Sequence, residues 1–287
     1  MSLIENEGLG SVLKTEVPKV GLRHPFVMHS ILAISALHLS RHCSEPRRQV
    51  YIDIGVRYHS NALTLFIPLL SDVTLENCDG LFACSFLVSS FSFALQCLDT
   101  QAPSILMSKV IEVFKLVRGT ASIAASARPW IEQGDMRPIL KLTQCAQRTA
   151  LSRHVHEVHG RLEAIINHQA DEHCPAQLSA STRAVVVRST GHLLEIFDFS
   201  IASDNQAAIL AWPAIIDAEY FQLLRQIEPM SLVTLAHYGA ILHIMTSTWW
   251  MAGWGKFLVN VAAAYLNETV RSEITWPLGI VNDTSDT

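Results

Sequence analysis

Charged side chains are scarce in this sequence, and the basic ones are in the minority. They make up 16% of the 287 residues, hydrophobic residues make up 49%, and the formal net charge is −5. Proteins that bind nucleic acid by themselves usually carry a basic surface, because phosphate contacts supply much of their affinity. We therefore expect no direct nucleic-acid binding. The apolar composition instead predicts a large buried core, in one large domain or two small ones.

Short motifs that identify common enzyme classes are also missing. The chain has no Gly-x-Ser-x-Gly nucleophile motif and no phosphate-binding P-loop. The segment 253–256, Gly-Trp-Gly-Lys, lacks the third glycine and the preceding strand of a dinucleotide-binding turn. Its six cysteines form no Cys-x-x-Cys pair, which favours free thiols. The sequence predicts no enzyme and no cofactor.

Histidines cluster in the middle of the chain, and metal binding is the obvious question. The motif His-Glu-Val-His at 156–159 is one residue short of the His-Glu-x-x-His spacing that places two imidazoles on one helix face. The other candidates have no fixed offset from it; they are His154, His168, His173 and Cys174. We interpret this region as a solvated, loosely helical segment without a metal site.

Two uncharged stretches, 81–98 and 229–255, are long enough to cross a membrane. Both contain several polar side chains, which are costly at mid-membrane unless they find partners. The N-terminal residues are polar and acidic and do not resemble a secretory signal. We therefore expect buried core helices and no membrane span.

The hydrophobic pattern predicts an all-α fold, an irregular multi-helix bundle. A buried helix begins at Pro25, a position that suits proline in a first turn. Residues 47–69 form an amphipathic helix whose apolar positions recur at steps of three or four: Tyr51, Ile54, Tyr58, Ala62, Leu65 and Leu69. A later helix is expected to end at Gly119. The only strand-like run is 183–189, which is too isolated to build a sheet.

The segment 248–258, TWWMAGWGKFL, combines three tryptophans with two glycines. If it is helical, Trp250 and Trp254 lie one turn apart and each glycine costs roughly 1 kcal/mol relative to alanine. Another helix or a ligand must then approach the bare backbone closely to offset that cost. Either helix packing or the wall of a pocket explains the pattern.

Several stretches together resemble the regulatory domain of fungal-specific transcription factors of the sterol uptake control type. These are residues 16–40 (EVPKVGLRHPFVMHSILAISALHLS), 58–70 (YHSNALTLFIPLL), 211–215 (AWPAI), 248–258, and 274–281 (ITWPLGIV). The resemblance covers 12–281, between short tails at 1–11 and 282–287, with a variable histidine-rich part at 120–185.

The resemblance implies a helical bundle with a hydrophobic pocket for a sterol-like lipid in its C-terminal half. It also implies that ligand occupancy governs a distribution between cytoplasm and nucleus, and that the partner is a second copy or another transcription regulator. The residues that correspond to the family element near this pocket, with their polar neighbours, are Tyr238, His243, Met245, Trp249, Trp250, Gly253, Trp254 and Gly255.

Family members usually carry an N-terminal zinc cluster with closely spaced cysteine pairs, and the cysteines here have a different spacing. Two other interpretations stay open. One is a biosynthetic enzyme or small-molecule-binding accessory protein that uses His237, Tyr238 and His243 in the same pocket. The other is a purely structural dimerisation domain, which predicts a filled core near Trp254.

Overall fold

The protein was analysed as a computed structural model, which describes residues 7–96, 103–137, 153–170, 179–202, 206–245 and 248–283. Every regular element in these ranges is helical, so the predicted all-α class is confirmed. The α-helices are α1 (Glu7–Arg23), α2 (Pro25–Ser40), α3 (Arg47–Phe66), α4 (Cys78–Gln96), α5 (Pro103–Ser126), α6 (Arg128–Ile131), α7 (Arg153–Ala170), α8 (Ala180–Ala202), α9 (Trp212–Ile215), α10 (Ala218–Arg225), α11 (Pro229–Met245), α12 (Trp254–Tyr265), α13 (Glu268–Arg271) and α14 (Thr275–Asn282). Short 3₁₀ helices occupy Ile67–Ser71, Gln206–Ala211 and Ser272–Ile274.

The chain divides into two compact units. Unit 1 comprises Met1–Asp99, Lys115–Gln144 and Ser247–Ala252, and unit 2 comprises Thr100–Phe114, Cys145–Thr246 and Gly253–Thr287. The boundary therefore falls within the tryptophan-rich segment, between Ala252 and Gly253.

Unit 1 is built around α2, which packs against α1, α3 and α4. Pro25 starts α2 as predicted, because the first helical position needs no N–H donor. A Cβ added at Gly55 of α3 would lie 3.2 Å from the carbonyl oxygen of Ala33, so glycine allows these two helices to approach closely. The core residues of this unit include Val20, Phe26, Val27, Phe66, Leu81, Phe82, Leu87 and Ile131.

Unit 2 is built around α11, whose residues from Met230 to Leu242 are all buried. Helices α12 and α14 pack against it, and α7 packs against α8. Trp212 is fully buried, donates from Nε1 to the carbonyl oxygen of Ser189 at 2.9 Å, and has its ring 4.4 Å from that of Tyr238. Phe114 meets both rings edge-on. Edge-on contacts between aromatic rings of this kind are favourable in a buried core.

Four local predictions need correction. Helix α1 precedes the predicted first helix. Helix α5 continues past Gly119, which does not adopt the left-handed φ that a glycine helix stop requires. The strand-like run 183–189 lies inside α8 because tertiary packing overrides the preference of three valines. On α3 the helix is confirmed, but its fully buried positions are Gly55, Ala62 and Phe66, while Leu65 is 43% exposed.

Helix α4 contains Cys78–Leu95, which is long and apolar enough to cross a membrane by length and composition. Within the protein, 78% of that stretch is buried. This burial is typical of a core helix.

Candidate functional site

The tryptophan-rich segment forms a turn followed by a helix, and the prediction of a continuous helix is wrong. Helix α11 ends at Met245, residues 249–253 form turns, and α12 begins at Trp254. The backbone N–H groups of Met251 and Ala252 donate to the carbonyl oxygens of Thr248 and Trp249 at 3.0 and 3.3 Å. Gly253 has φ of 88°, a left-handed conformation that glycine adopts without steric cost. This backbone reversal separates the first two tryptophans from the third.

Trp249 is held in unit 1 by side chains at the end of α2. Arg41 donates from Nη1 to the carbonyl oxygen of Trp249 at 2.7 Å, and its guanidinium lies 5.6 Å from the indole ring centroid. The His38 ring lies 4.8 Å from the same indole. Burial, with the nearby His42 and Arg41, lowers the pKa of His38, so this ring is neutral at pH 7.

Trp250 is 4% exposed and packs among aromatic rings of α4. Its indole meets the Phe86 ring edge-on at 6.0 Å and the Phe93 ring at 5.8 Å. Offset and edge-on arrangements of this kind are favourable because the electropositive ring edge faces the electronegative ring surface.

The two tryptophans line an apolar cavity of about 70 Å³ in unit 1. Helices α1, α2 and α4 supply the other walls, which are Leu13, Val17, Ile31, Ile34, Ser35, Phe86, Leu87 and Ser90. Ser90 donates its hydroxyl hydrogen to the carbonyl oxygen of Phe86 at 2.9 Å within its own helix. The cavity therefore presents mainly hydrocarbon and aromatic surface, which suits an apolar ligand.

The glycines of the segment have two different structural roles. A Cβ on Gly255 would lie 2.4 Å from the carbonyl oxygen of Gly239 and 2.7 Å from the backbone nitrogen of His243. Gly255 thus lets α12 approach α11 closely. This close helix packing compensates the free-energy cost of a glycine within a helix, as expected from the sequence. Gly253 has open space where a Cβ would stand, so glycine is favoured there by the left-handed backbone conformation and not by close packing.

The other predicted site residues lie in unit 2 and line neither this cavity nor the second cavity described below. Trp254 is fully buried and stacks on Phe257 with ring centroids 4.8 Å apart. Met245 is buried at the end of α11, and Tyr238 is buried beside Trp212. Burial raises the pKa of Tyr238. His243 is exposed, and partial burial with the nearby Lys256 lowers its pKa.

The polar residues of the enzyme interpretation are adjacent in sequence but have separate surroundings. His237 shares a hydrogen bond with the carbonyl oxygen of Val233, Tyr238 lies in the aromatic cluster, and His243 faces solvent. Within the described part of the chain, these three side chains share no hydrogen bond that would make an acid–base pair.

Sequence reasoning missed the walls that α1 and α4 contribute to the apolar cavity. The available signal in α1 was the spacing of Leu13, Val17 and Val20 at steps of four and three, all of which pack in the core of unit 1. Proline at position 18 and the charged residues around it obscured that helical pattern. No sequence signal identifies Phe86 and Ser90 as neighbours of Trp250, because the contact is set by tertiary packing.

The histidine-rich segment is partly described by the structure. His154, His156, His159 and His168 lie on α7, whereas His173 and Cys174 lie outside the described residues. His159 approaches Glu163 at 3.4 Å and Asp198 at 3.6 Å. Among the described residues, no three His, Cys, Asp or Glu side chains are grouped as metal ligands would be.

Comparison with known proteins confirms the family resemblance. Residues 1–137 match the family model of the fungal specific transcription factor domain. The chain is also 24% identical over 272 residues to sterol uptake control protein 2 of Candida albicans, a match that covers 88% of this chain and 36% of that protein. The chain thus spans about a third of the length of this relative. No solved structure matches. The chain is therefore similar to domains of fungal transcription regulators.

Proposed function

We propose that this chain, matched over residues 1–137 by the fungal specific transcription factor domain, is a regulatory domain that responds to an apolar ligand of sterol type. The observation that carries the proposal is the apolar cavity that Trp249 and Trp250 line. The name of the Candida albicans relative, sterol uptake control protein 2, supports the ligand class.

The volume of the cavity implies a mechanism for ligand entry. At about 70 Å³ it is smaller than the roughly 300–1,000 Å³ of typical small-molecule sites. A sterol therefore enters only if the two indoles move away from α1, α2 and α4. Trp249 is held by one hydrogen bond and one cation–π contact from Arg41 and by a ring contact with His38. Such contacts are worth on the order of 1 kcal/mol each, which ligand burial is large enough to replace.

Movement of this turn would couple ligand binding to regulation. A ligand that binds only the open arrangement shifts the population toward it by its differential affinity. The exposed surface near the turn then changes, and with it the binding of a second copy or of another transcription regulator. In this proposal the ligand state sets the distribution between cytoplasm and nucleus. These 287 residues do not themselves contact DNA, because their net charge of −5 disfavours phosphate contact.

Solvent extraction tests the ligand directly. The purified chain is extracted with organic solvent, and the extract is analysed by mass spectrometry for sterols and other lipids. A stoichiometric sterol supports the proposal. For protein purified empty, titration with dehydroergosterol, monitored by energy transfer from tryptophan, gives the affinity. A folded protein that contains no bound sterol and shows no saturable energy transfer with dehydroergosterol would contradict the proposal.

A matched pair of variants on α4 locates the site. Ser90→Leu adds hydrocarbon to the wall of the apolar cavity, whereas Ser92→Leu adds the same group at a half-buried position of the same helix outside that wall. We expect Ser90→Leu to weaken dehydroergosterol binding by about tenfold or more, since filled space excludes the ligand. Ser92→Leu is expected to bind as the wild type does. Equal binding by both variants would place the sterol elsewhere.

A further inference from the structure

A second cavity lies in unit 2 and differs in character from the apolar one. Its volume is about 220 Å³. Helices α7 and α11 and the 3₁₀ turn Ser272–Ile274 supply its walls: Arg161, Ala164, Ile165, Met230, His237 and Glu273. Three of these side chains are apolar, one is a cation, one is a carboxylate and one is an imidazole.

The imidazole of His237 is buried and held in one orientation. Its Nδ1 lies 2.9 Å from the carbonyl oxygen of Val233, and its ring stacks on Trp276 with centroids 5.7 Å apart. A carbonyl oxygen can only accept, so Nδ1 carries the proton and donates it. Burial lowers the pKa of His237 to about 4, with Arg161 adding to the shift. At neutral pH, Nε2 is therefore an acceptor left for a ligand.

The charged groups that line the cavity do not neutralise each other. The Arg161 guanidinium lies 5.1 Å from the Trp276 ring centroid, and its Nη2 donates to Glu157 at 3.0 Å. Within the described ranges, Glu273 forms no ion pair with Arg161 or with another cation. Trp276 supplies a second hydrogen-bond donor close to the Arg161 guanidinium. Its buried indole Nε1–H has no hydrogen-bond partner among the described residues.

From this arrangement we infer that the unit 2 cavity binds a free apolar α-amino acid as its zwitterion. Arg161 receives the carboxylate through the guanidinium nitrogens that Glu157 does not occupy, because guanidinium and carboxylate form charge-assisted hydrogen bonds. Glu273 and His237 Nε2 accept hydrogen bonds from the ammonium group. Ala164, Ile165 and Met230 cover the side chain. A cavity that carries one cation and one carboxylate is complementary to a ligand that carries both charges and is overall neutral.

Size and polarity separate this ligand from the sterol of the proposed function. The cavity volume of about 220 Å³ suits an amino acid and lies below the usual range for larger ligands. The two cavities share no lining residue, so either inference can fail without the other.

Isothermal titration of the full chain with four related probes tests the inference. L-Leucine carries all three recognised groups, isoamylamine lacks the carboxylate, N-acetyl-L-leucine lacks the ammonium group, and glycine lacks the apolar side chain. We expect saturable binding of L-leucine and at least about tenfold weaker binding of each other probe. Absence of leucine binding up to about 10 mM overturns the inference. Equal binding of isoamylamine also overturns it, because the site would then recognise only an amine.

Neutral substitutions at the exposed charged positions test the location. Arg161→Gln and Glu273→Gln remove one charge each, and we expect each to weaken leucine binding by about tenfold. Arg225→Gln and Glu268→Gln make the same changes at exposed positions of unit 2 outside the cavity and are expected to bind leucine normally. Unchanged binding in the first pair, with helicity preserved by circular dichroism, would contradict the inference.

Discussion

Trp250 and Trp254 are only four positions apart and are almost equally inaccessible, at 4% and 0% exposure, yet they serve different structures. Trp250 belongs to unit 1 and lies at the edge of an apolar cavity among Phe86 and Phe93. Trp254 belongs to unit 2 and starts α12 in dense packing. The left-handed residue Gly253 separates them. Burial of a large aromatic side chain thus does not by itself distinguish a cavity wall from a core position.

Truncation of the two tryptophans gives the largest expected effect and the sharpest test of this comparison. Trp254→Ala removes a fully buried side chain and is expected to lower the free energy of unfolding by about 4 kcal/mol. Trp250→Ala is expected to cost less, because one side of its indole already faces a cavity. Urea denaturation monitored by circular dichroism measures both. A larger loss for Trp250→Ala would reverse the assignment of roles.

The close approach of α12 to α11 is tested by Gly255→Ala. The added Cβ meets backbone atoms at 2.4 and 2.7 Å, so the helices must separate, at an expected cost of about 3 kcal/mol. Gly191→Ala on α8 is the matched control, since its Cβ meets open space. We expect that change to be neutral or stabilising by up to about 1 kcal/mol. Thermal denaturation of both variants would show equal shifts if the close approach were not required.

Because His237 is buried, we expect the free energy of unfolding to fall in weak acid. Its pKa is about 4 in the folded protein and near 6.5 in the unfolded chain, so the unfolded state binds the proton more readily between these values. Its contribution is complete above pH 6.5 and is lost as the pH falls toward 4. Between pH 7.5 and 5 the loss is about 2 kcal/mol.

The His237→Gln variant isolates this contribution. We expect its stability to vary less between pH 7.5 and 5 than that of the wild type, by about 2 kcal/mol in urea denaturation. Half-buried His59 has its pKa lowered to about 4 as well and remains in both proteins, so its contribution cancels. An identical pH dependence in the two proteins would mean that His237 does not titrate in this range.

The smallest predicted effect concerns the turn itself. Gly253→Ala places a Cβ on a residue with φ of 88°, which costs about 1 kcal/mol although the space around it is open. Gly253→Asn is the control, because asparagine tolerates this conformation better and is expected to lose less. Thermal denaturation ranks the two. A glycine-to-alanine change without cost would indicate that the backbone does not adopt the left-handed conformation in solution.

Local sequence patterns were sufficient for the fold class and for several helices. Pro25 marks the start of α2, and the apolar run that follows predicts its burial. Helices α2, α3 and α4 were recognised because helix formation and amphipathicity depend on neighbours within a few turns. The same local reasoning failed for α1 and for Gly119, where the surrounding structure, not the propensity of one residue, decides whether a helix forms or continues.

The candidate sites were less predictable because their residues are distant in sequence. Trp249 and Trp250 were identified as site residues and do line a cavity, but their partners come from α1, α2 and α4. Trp254, Gly255 and Tyr238 were expected beside them and instead serve helix packing in unit 2. A sequence rich in glycine and tryptophan is compatible both with a pocket wall and with a close helix–helix contact, so the pattern alone does not distinguish the two.

The sequence alone determined that this protein is helical, rich in core helices, and similar to fungal transcription-factor domains, because periodicity, composition and motif order are properties of the chain itself. Only the tertiary structure decided how the tryptophan segment divides at Gly253, and which cavity is apolar and which is charged. Arg161, His237 and Glu273 become one site through the packing of three separate elements. Contacts of that kind depend on how distant helices close upon each other, and no local pattern encodes them.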